Sequence, residues 1–328
     1  MKLSVLRLLL AGLFCASVAQ AAAESTKSTT TPLLLVLNKS ENTLVSVDPA
    51  TLKVLGRYPT GNGPHEVTVS ADGSFAYVSN YGTDSQPGHT LSVIDLAAGK
   101  SNEVDLGKLQ RPHGIVESGG KIYFTAEGSH TVARFDQATQ RVDWSRETNQ
   151  NVTHMVVVMP RGKKLYTANI GSNSVTAVDL NKSEGVKQIA VGEGAEAIDL
   201  SPDGRELWVG NRGDGTLSII DTASDAVKAT IEVGKVPIRL KFTPDGKRVL
   251  VTDAQSGDLV AVDAASRKVG KRLPIGGTPV GLLITPDGKK AFVAATSADK
   301  VYEVNLDDLS VIRSFESGRE PDGMAWRK

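Results

Sequence analysis

The stretch "AEAIDLSPDGRELWVGNRGDGTLSIIDTASDAVKATIEVG" (Ala195 to Gly234) reads as four short strands in succession. "AEAIDLS" is a first strand, A, and "PDG" a tight turn. "ELWVGN" is strand B, "GTLSIID" strand C, "TASD" a second turn and "AVKATIEVG" strand D. Val, Ile, Leu and aromatic residues alternate with polar ones, as half-buried strands require, and Asp-Gly supplies the backbone freedom for reversal. No amphipathic helix of useful length interrupts the pattern.

The phrase recurs along the chain. "SPDG" ends at Gly204, and "TPDG" ends at Gly246 and again at Gly288, two steps of 42 residues. Equal steps backward from Pro202 land on Pro160 of "MPRG" and Ser118 of "ESGG". "SADG", with Ala71, stands 47 residues earlier, and the surplus falls in "YGTDSQPGH" (Tyr81 to His89), an insertion in that repeat. Four strands per unit of about 42 residues predict a β-propeller, whose blades bury their faces against two neighbours. A strands begin near Pro64, Pro112, Thr153, Ala195, Pro237, Pro279 and Pro321, which makes seven. The repeats nevertheless start with strand B, "LLLVLN" (Leu33 to Asn38), and end with an orphan strand A, "EPDGMAWRK" (Glu320 to Lys328). The expected fold is therefore all-β, a seven-bladed propeller of four-stranded blades over 33–328. Its C-terminal strand pairs in the first blade and removes the open edge.

Composition narrows the function. Hydrophobic residues make up 40% of 328, enough for a sizeable core. Residues 1–23 read as a secretory signal: Lys2 and Arg7, then "LLLAGLFCASVA", then the small residues "AQAAA". That apolar run is too short to span a membrane. Residues 24–32 read as a flexible leader, and the expected location is periplasmic or secreted. The single cysteine, Cys15, lies within the signal, so the mature chain has no thiol chemistry. Taking Lys2 and Arg7 from 37 basic residues leaves 35 against 37 acidic ones. That balance does not point to nucleic acid or an anionic membrane as partner. The expected form is a monomer.

The phrases "AYVSN", "LYTAN" and "LWVGN", followed by "SVID", "TAVD" and "SIID", resemble the YVTN-type repeats of YncE-like bacterial propellers. The resemblance extends over Leu33 to Lys328 and implies the fold rather than an activity, since propellers host many unrelated functions. One repeat, "RPHGIVESGGKIYFTAEGSHTVARFD" (Arg111 to Asp136), is also similar to streptogramin-lyase propellers.

The chain has five histidines, and three recur at the start of strand A: His65 in "PHEV", His113 in "PHGI" and His154 in "THMV". In blade order that position holds Asp322, His65, His113, His154, Glu196, Ile238 and Val280. Five successive blades thus carry a group able to bind a metal or a proton, and no turn demands histidine where Ile238 and Val280 also fit. His65, His113 and His154 are the expected metal ligands, assisted by Glu196 or Asp322, for Zn, Cu, Ni or Fe. Neutral imidazoles of this kind would lose metal as the pH falls through about 6.5. Glu127 is read as replacing the asparagine that ends strand B at Asn38, Asn80, Asn169 and Asn211, adding a carboxylate. Glu66 and Arg239 follow ring residues and are expected to point away from the ring. His89 and His130 fall in a B–C turn slot shared with Asn42, Asn173, Gly215, Gly257 and Asp299, where left-handed backbone explains them. "GEGAEA" (Gly192 to Ala197) fits a dinucleotide fingerprint only on paper, for no helix follows to hold a pyrophosphate. The expected function is a binding module for a small molecule, metal ion or cell-envelope protein at the channel mouth. The alternative is a metal-assisted lyase or lactonase using the same histidines.

Overall fold

A computed structural model describes residues 31–160 and 162–328. The stretch read as a secretory signal, and nearly all of the one read as a leader, lie outside the described residues. Among the described residues, seven four-stranded antiparallel sheets form a ring, and helix is confined to four three-residue 3-10 turns. The innermost strands, A, are Pro321–Arg327, Pro64–Val69, Pro112–Ser118, Thr153–Val158, Ala195–Leu200, Pro237–Phe242 and Pro279–Ile284 in blades 1 to 7. No described helix is long and apolar enough to cross a membrane.

The core lies between the blades, because side chains on a strand alternate between its two faces. In strand B of blade 1, Leu33, Leu35 and Leu37 pack with Val67, Val78 and Ile94 of blade 2. Leu34 and Val36 turn the other way, onto Phe292, Ala294 and Val301 of blade 7. The same division gives one apolar cluster at each of the seven interfaces, including Trp208 with Val249 and Val251 between blades 5 and 6. Polar latches reinforce some of them. Asp225 of blade 5 accepts from both Tyr166 Oη (2.6 Å) and Lys164 Nζ (2.9 Å) of blade 4.

The C-terminal strand closes the ring as the repeats require. Leu34 faces Trp326 and Leu35 faces Ala325 in an antiparallel ladder, and Trp326 stacks on Phe292 with centroids 6.4 Å apart. Deleting Glu320–Lys328 should lower the melting temperature by roughly 10 °C or more, since a large side chain alone contributes about 3 kcal/mol at such an interface. It should also promote association through the freed edge of Leu33–Asn38. Differential scanning calorimetry of the truncated and full chains checks this, and matching melting temperatures would contradict the closure.

Candidate functional site

Each strand A carries a β-bulge at its second residue. Pro64 pairs with Asn80 but Glu66 pairs with Ser79, which leaves His65 out of the ladder. The same slip follows Thr153, Ala195, Pro237 and Pro279, freeing His154, Glu196, Ile238 and Val280. In blade 3 it follows Pro112 and frees His113, and in blade 1 it falls beside Pro321 and Asp322. A bulge re-aims the extra side chain, and here it turns the seven ring residues toward one end of the central channel. They line a cavity of about 400 Å³ there.

A second ring surrounds the first. In each blade the residue one past the strand B partner of the first strand A residue donates its backbone N–H to the loop that enters strand A. That slot holds Lys39, Tyr81, Glu127, Ile170, Arg212, Ala254 and Thr296, and the first five line the cavity. Glu127 therefore does not replace the asparagine. Ala126 faces Pro112 as Asn80 faces Pro64, so Ala126 holds the asparagine slot. Lys39, Tyr81 and Arg212 are site residues that the histidine pattern left unnoticed. The signal for them was the position itself, one residue beyond the "N" of each "YVSN"-like phrase.

The two rings interlock most tightly over blades 2 to 5. His154 is held at both ring nitrogens, with Glu127 bonded to Nδ1 and Glu196 Oε1 lying 3.6 Å from Nε2. Tyr81 Oη donates to the other oxygen of Glu127 at 2.6 Å, and Arg212 Nη1 donates to Glu196 Oε2 at 2.8 Å. His113 stacks on His154 with centroids 3.7 Å apart, and its Nδ1 is buried without any hydrogen-bond partner. Ligand atoms of His113, Glu127 and His154 all lie within 4.8 Å of one another. His65 stands beside this group, 5.0 Å from His113, but is not part of it. Its Nδ1 donates to the Gly63 carbonyl at 3.0 Å, and it is Glu127, not His65, whose ligand atom groups with those of His113 and His154. Asp322 sits on the other side of His65, paired with Lys39 at 3.2 Å. His89 and His130 stay outside the cavity lining. His130 has the left-handed backbone of a turn (φ 51°), whereas His89 is extended within Pro87–Asp95 because the insertion lengthens that hairpin.

Electrostatics divides the three imidazoles. Burial opposes a charge on His154, but the flanking carboxylates outweigh it and push its pKa up to about 9. Burial, then the charge on His154, holds His113 well below the ordinary imidazole range. Burial also lowers His65, against the pull of Asp322. Burial and the bond to Glu127 push Tyr81 up to about 12.

One layer deeper, the channel is crossed by an ion pair. The residue after each ring position is Gly323, Glu66, Gly114, Met155, Ala197, Arg239 and Gly281 in turn. Glu66 and Arg239 do turn away from the ring, as expected, but they meet across the axis. Arg239 Nη2 lies 2.5 Å from Glu66 Oε1 and 3.9 Å from Asp322 Oδ1, and Nη1 lies 3.1 Å from the Met155 sulfur. Burial works against the guanidinium charge, yet Glu66, Asp322 and Glu196 keep its pKa raised. Arg239 thereby forms the floor of the cavity.

These features define a closed seven-bladed propeller with a polar cup at one mouth of its channel. Residues 119–244 match the family model described as "YNCE-like beta-propeller", and that match and the seven-bladed ring together support a likeness to YncE-like propellers. No curated protein matches the sequence. Among solved structures, Kuenenia stuttgartiensis hydrazine synthase is similar at TM-score 0.71 and 22% identity, over 80% of this chain and 89% of that one. A Bacteroides fragilis protein named "putative 6-phosphogluconolactonase" gives TM-score 0.75 at 17% identity, over 92% of this chain and 99% of that one. A Bacteroides uniformis protein of the same name gives 0.76 at 15%, over 90% and 100%. At these identities the likeness is one of fold alone.

Replacing Glu66 by Gln leaves Arg239 buried with Asp322 as its nearest anion, and should cost about 3 kcal/mol of stability. The double change Glu66→Leu with Arg239→Met removes both charges and should recover most of that loss. Urea unfolding of the three proteins reads the difference; an unaffected Glu66→Gln variant would mean that the pair is not buried as described.

Proposed function

We propose that the chain is an exported binding module whose cup holds a divalent transition metal between His113, Glu127 and His154. The observation that carries this reading is the convergence of those three ligand groups around a buried, unbonded His113 Nδ1. An unsatisfied buried polar atom costs about 1–3 kcal/mol, and a metal bond would relieve it. Two imidazoles and a carboxylate suit Zn, Fe(II), Cu or Ni, whereas Ca and Mg favour all-oxygen sites. Glu196 would then hold the second nitrogen of His154 from behind, and Tyr81 would orient Glu127, the usual outer support of a metal site.

A second reading is a metal-assisted lactonase or lyase, and the geometry of His65 favours it. With Nδ1–H donated to Gly63, a neutral His65 carries its lone pair on Nε2, as a general base requires. The lactonase name borne by two structural neighbours of low identity is compatible with this reading.

The metal must displace the proton held on His154, whose pKa of about 9 lies above neutrality. Zinc affinity should therefore rise about tenfold per pH unit from pH 6 to 8, and continue upward toward 9 instead of levelling near 6.5. Calorimetric titration of Zn, Cu and Ni at several pH values tests this, with His113→Ala and Glu127→Ala each weakening binding by about 100-fold or more. Equal binding by wild type and variants, or none by wild type, would overturn the metal site. Loss of lactone turnover in His65→Gln, with zinc affinity retained, would establish the second reading.

A further inference from the structure

We infer that the metal-loaded cup binds a small organic monoanion, a monocarboxylate with a compact apolar body; this rests on the metal reading above. Lys39, Arg212 and Arg239 face Glu66, Glu127, Glu196 and Asp322, three cations against four anions. Arg111 and Asp84, at the rim, offset each other. A divalent ion on neutral imidazoles turns that balance into a net charge of about +1. A monoanion neutralises it, and a dianion would overshoot.

The place for the carboxylate is beside the metal, in blade 5. Arg212 has a side chain 47% exposed, and among the described residues its guanidinium bonds only to Glu196. A guanidinium carries five N–H donors in a planar fork suited to carboxylate oxygens, so donors remain for a ligand at the mouth. Beyond Arg212 the lining changes character. Ile238 of blade 6 and Val280 of blade 7 occupy the ring positions that hold His, Glu or Asp elsewhere, and both are only half-buried. Val152 and Ile170 add apolar surface on the near side. In ring order the wall thus runs metal, Arg212, Ile238, Val280, a polar head site followed by an apolar shelf. The Arg239–Glu66 pair closes the floor, so the ligand enters and leaves by one mouth. About 400 Å³ is near the small end of ligand cavities, which span roughly 300–1,000 Å³.

The test is calorimetric titration of the zinc-loaded chain with benzoate, acetate, benzamide and inorganic phosphate. Benzoate should bind at least tenfold more tightly than each of the other three. Arg212→Gln should weaken benzoate and acetate alike by about tenfold. Ile238→Asn with Val280→Asn should weaken benzoate about tenfold and acetate less than twofold. Melting curves and zinc titration on the same variants separate a lost fold or a lost metal from a lost ligand contact. Zinc binding with benzoate and benzamide equal, or with phosphate preferred, overturns the monocarboxylate and leaves the metal reading standing. Absence of zinc binding by the wild type overturns both.

Discussion

Seven inner strands must pass side by side around one axis, and the crowding there governs what the rest of the molecule can do. A Cβ on Gly281 would lie 2.1 Å from the carbonyl oxygen of Asp322 in the next blade, and one on Gly323 would lie 2.3 Å from that of His65. At such distances only glycine lets two backbones meet, so the blades that bring Asp322 and His65 together depend on it. The room left along the axis is small and shared unequally. Glycine or alanine at four of the seven deeper positions leaves space for Arg239, Glu66 and Met155 to fill the middle. The bulge one residue earlier sends the ring side chains outward to the mouth. A packed plug and an open cup are thus two results of one slip in register.

Filling the axis with charge is an expensive choice that an apolar plug would avoid. A guanidinium and a carboxylate must both leave water, and their attraction repays this only with close geometry and further partners. Here the 2.5 Å contact, the nearby Asp322 and the Met155 sulfur supply them. The same economy appears in the cup, where each charge has an opposite neighbour: Lys39 with Asp322, Arg212 with Glu196, His154 with Glu127. Paired charges hold one another in place, and these pairs fix side chains from four blades, 1, 3, 4 and 5, although no covalent link joins them. His113 is the exception, a buried imidazole nitrogen with nothing to meet it. In so fully paired a neighbourhood, that orphan is what directs attention to a ligand.

Much of the fold was legible in the sequence because the period is enforced by packing. A blade that lost its alternation would lose two interfaces, so "ELWVGN" is strand B as read, at Glu206–Asn211, and "LLLVLN" is Leu33–Asn38. Closure by the tail followed from counting strands. The first ring was legible for the same reason: a position fixed by the repeat can be compared across blades. The site as a whole was less so. Glu127 stands one residue out of step, because "TAEG" ends strand B with Ala126 where four other blades place asparagine. Its bond to His154 joins neighbouring blades across 27 residues, and the meeting of Arg239 with Glu66 crosses the axis between blades 6 and 2. Periodicity specifies where a side chain stands, whereas its partner depends on which neighbours happen to be long, charged or absent. His89 shows the converse. An insertion lengthened its hairpin, so a residue in the turn slot by counting became part of a strand.

The repeat also explains why the cup is lopsided. Seven equivalent blades would place one residue type seven times around the mouth, giving a ring of like charges or a uniform apolar rim. Neither separates a polar end from an apolar one. Function at such a mouth requires that the blades differ where the fold does not care, and the bulged position meets that condition because its side chain is excluded from both the ladder and the interblade core. Asp322, three imidazoles, Glu196, Ile238 and Val280 share one backbone geometry, as the repeated register slip shows. The scaffold therefore supplies seven interchangeable seats around a closed floor. The chemistry of the cup is set by which residues occupy them and by the second ring leaning in behind.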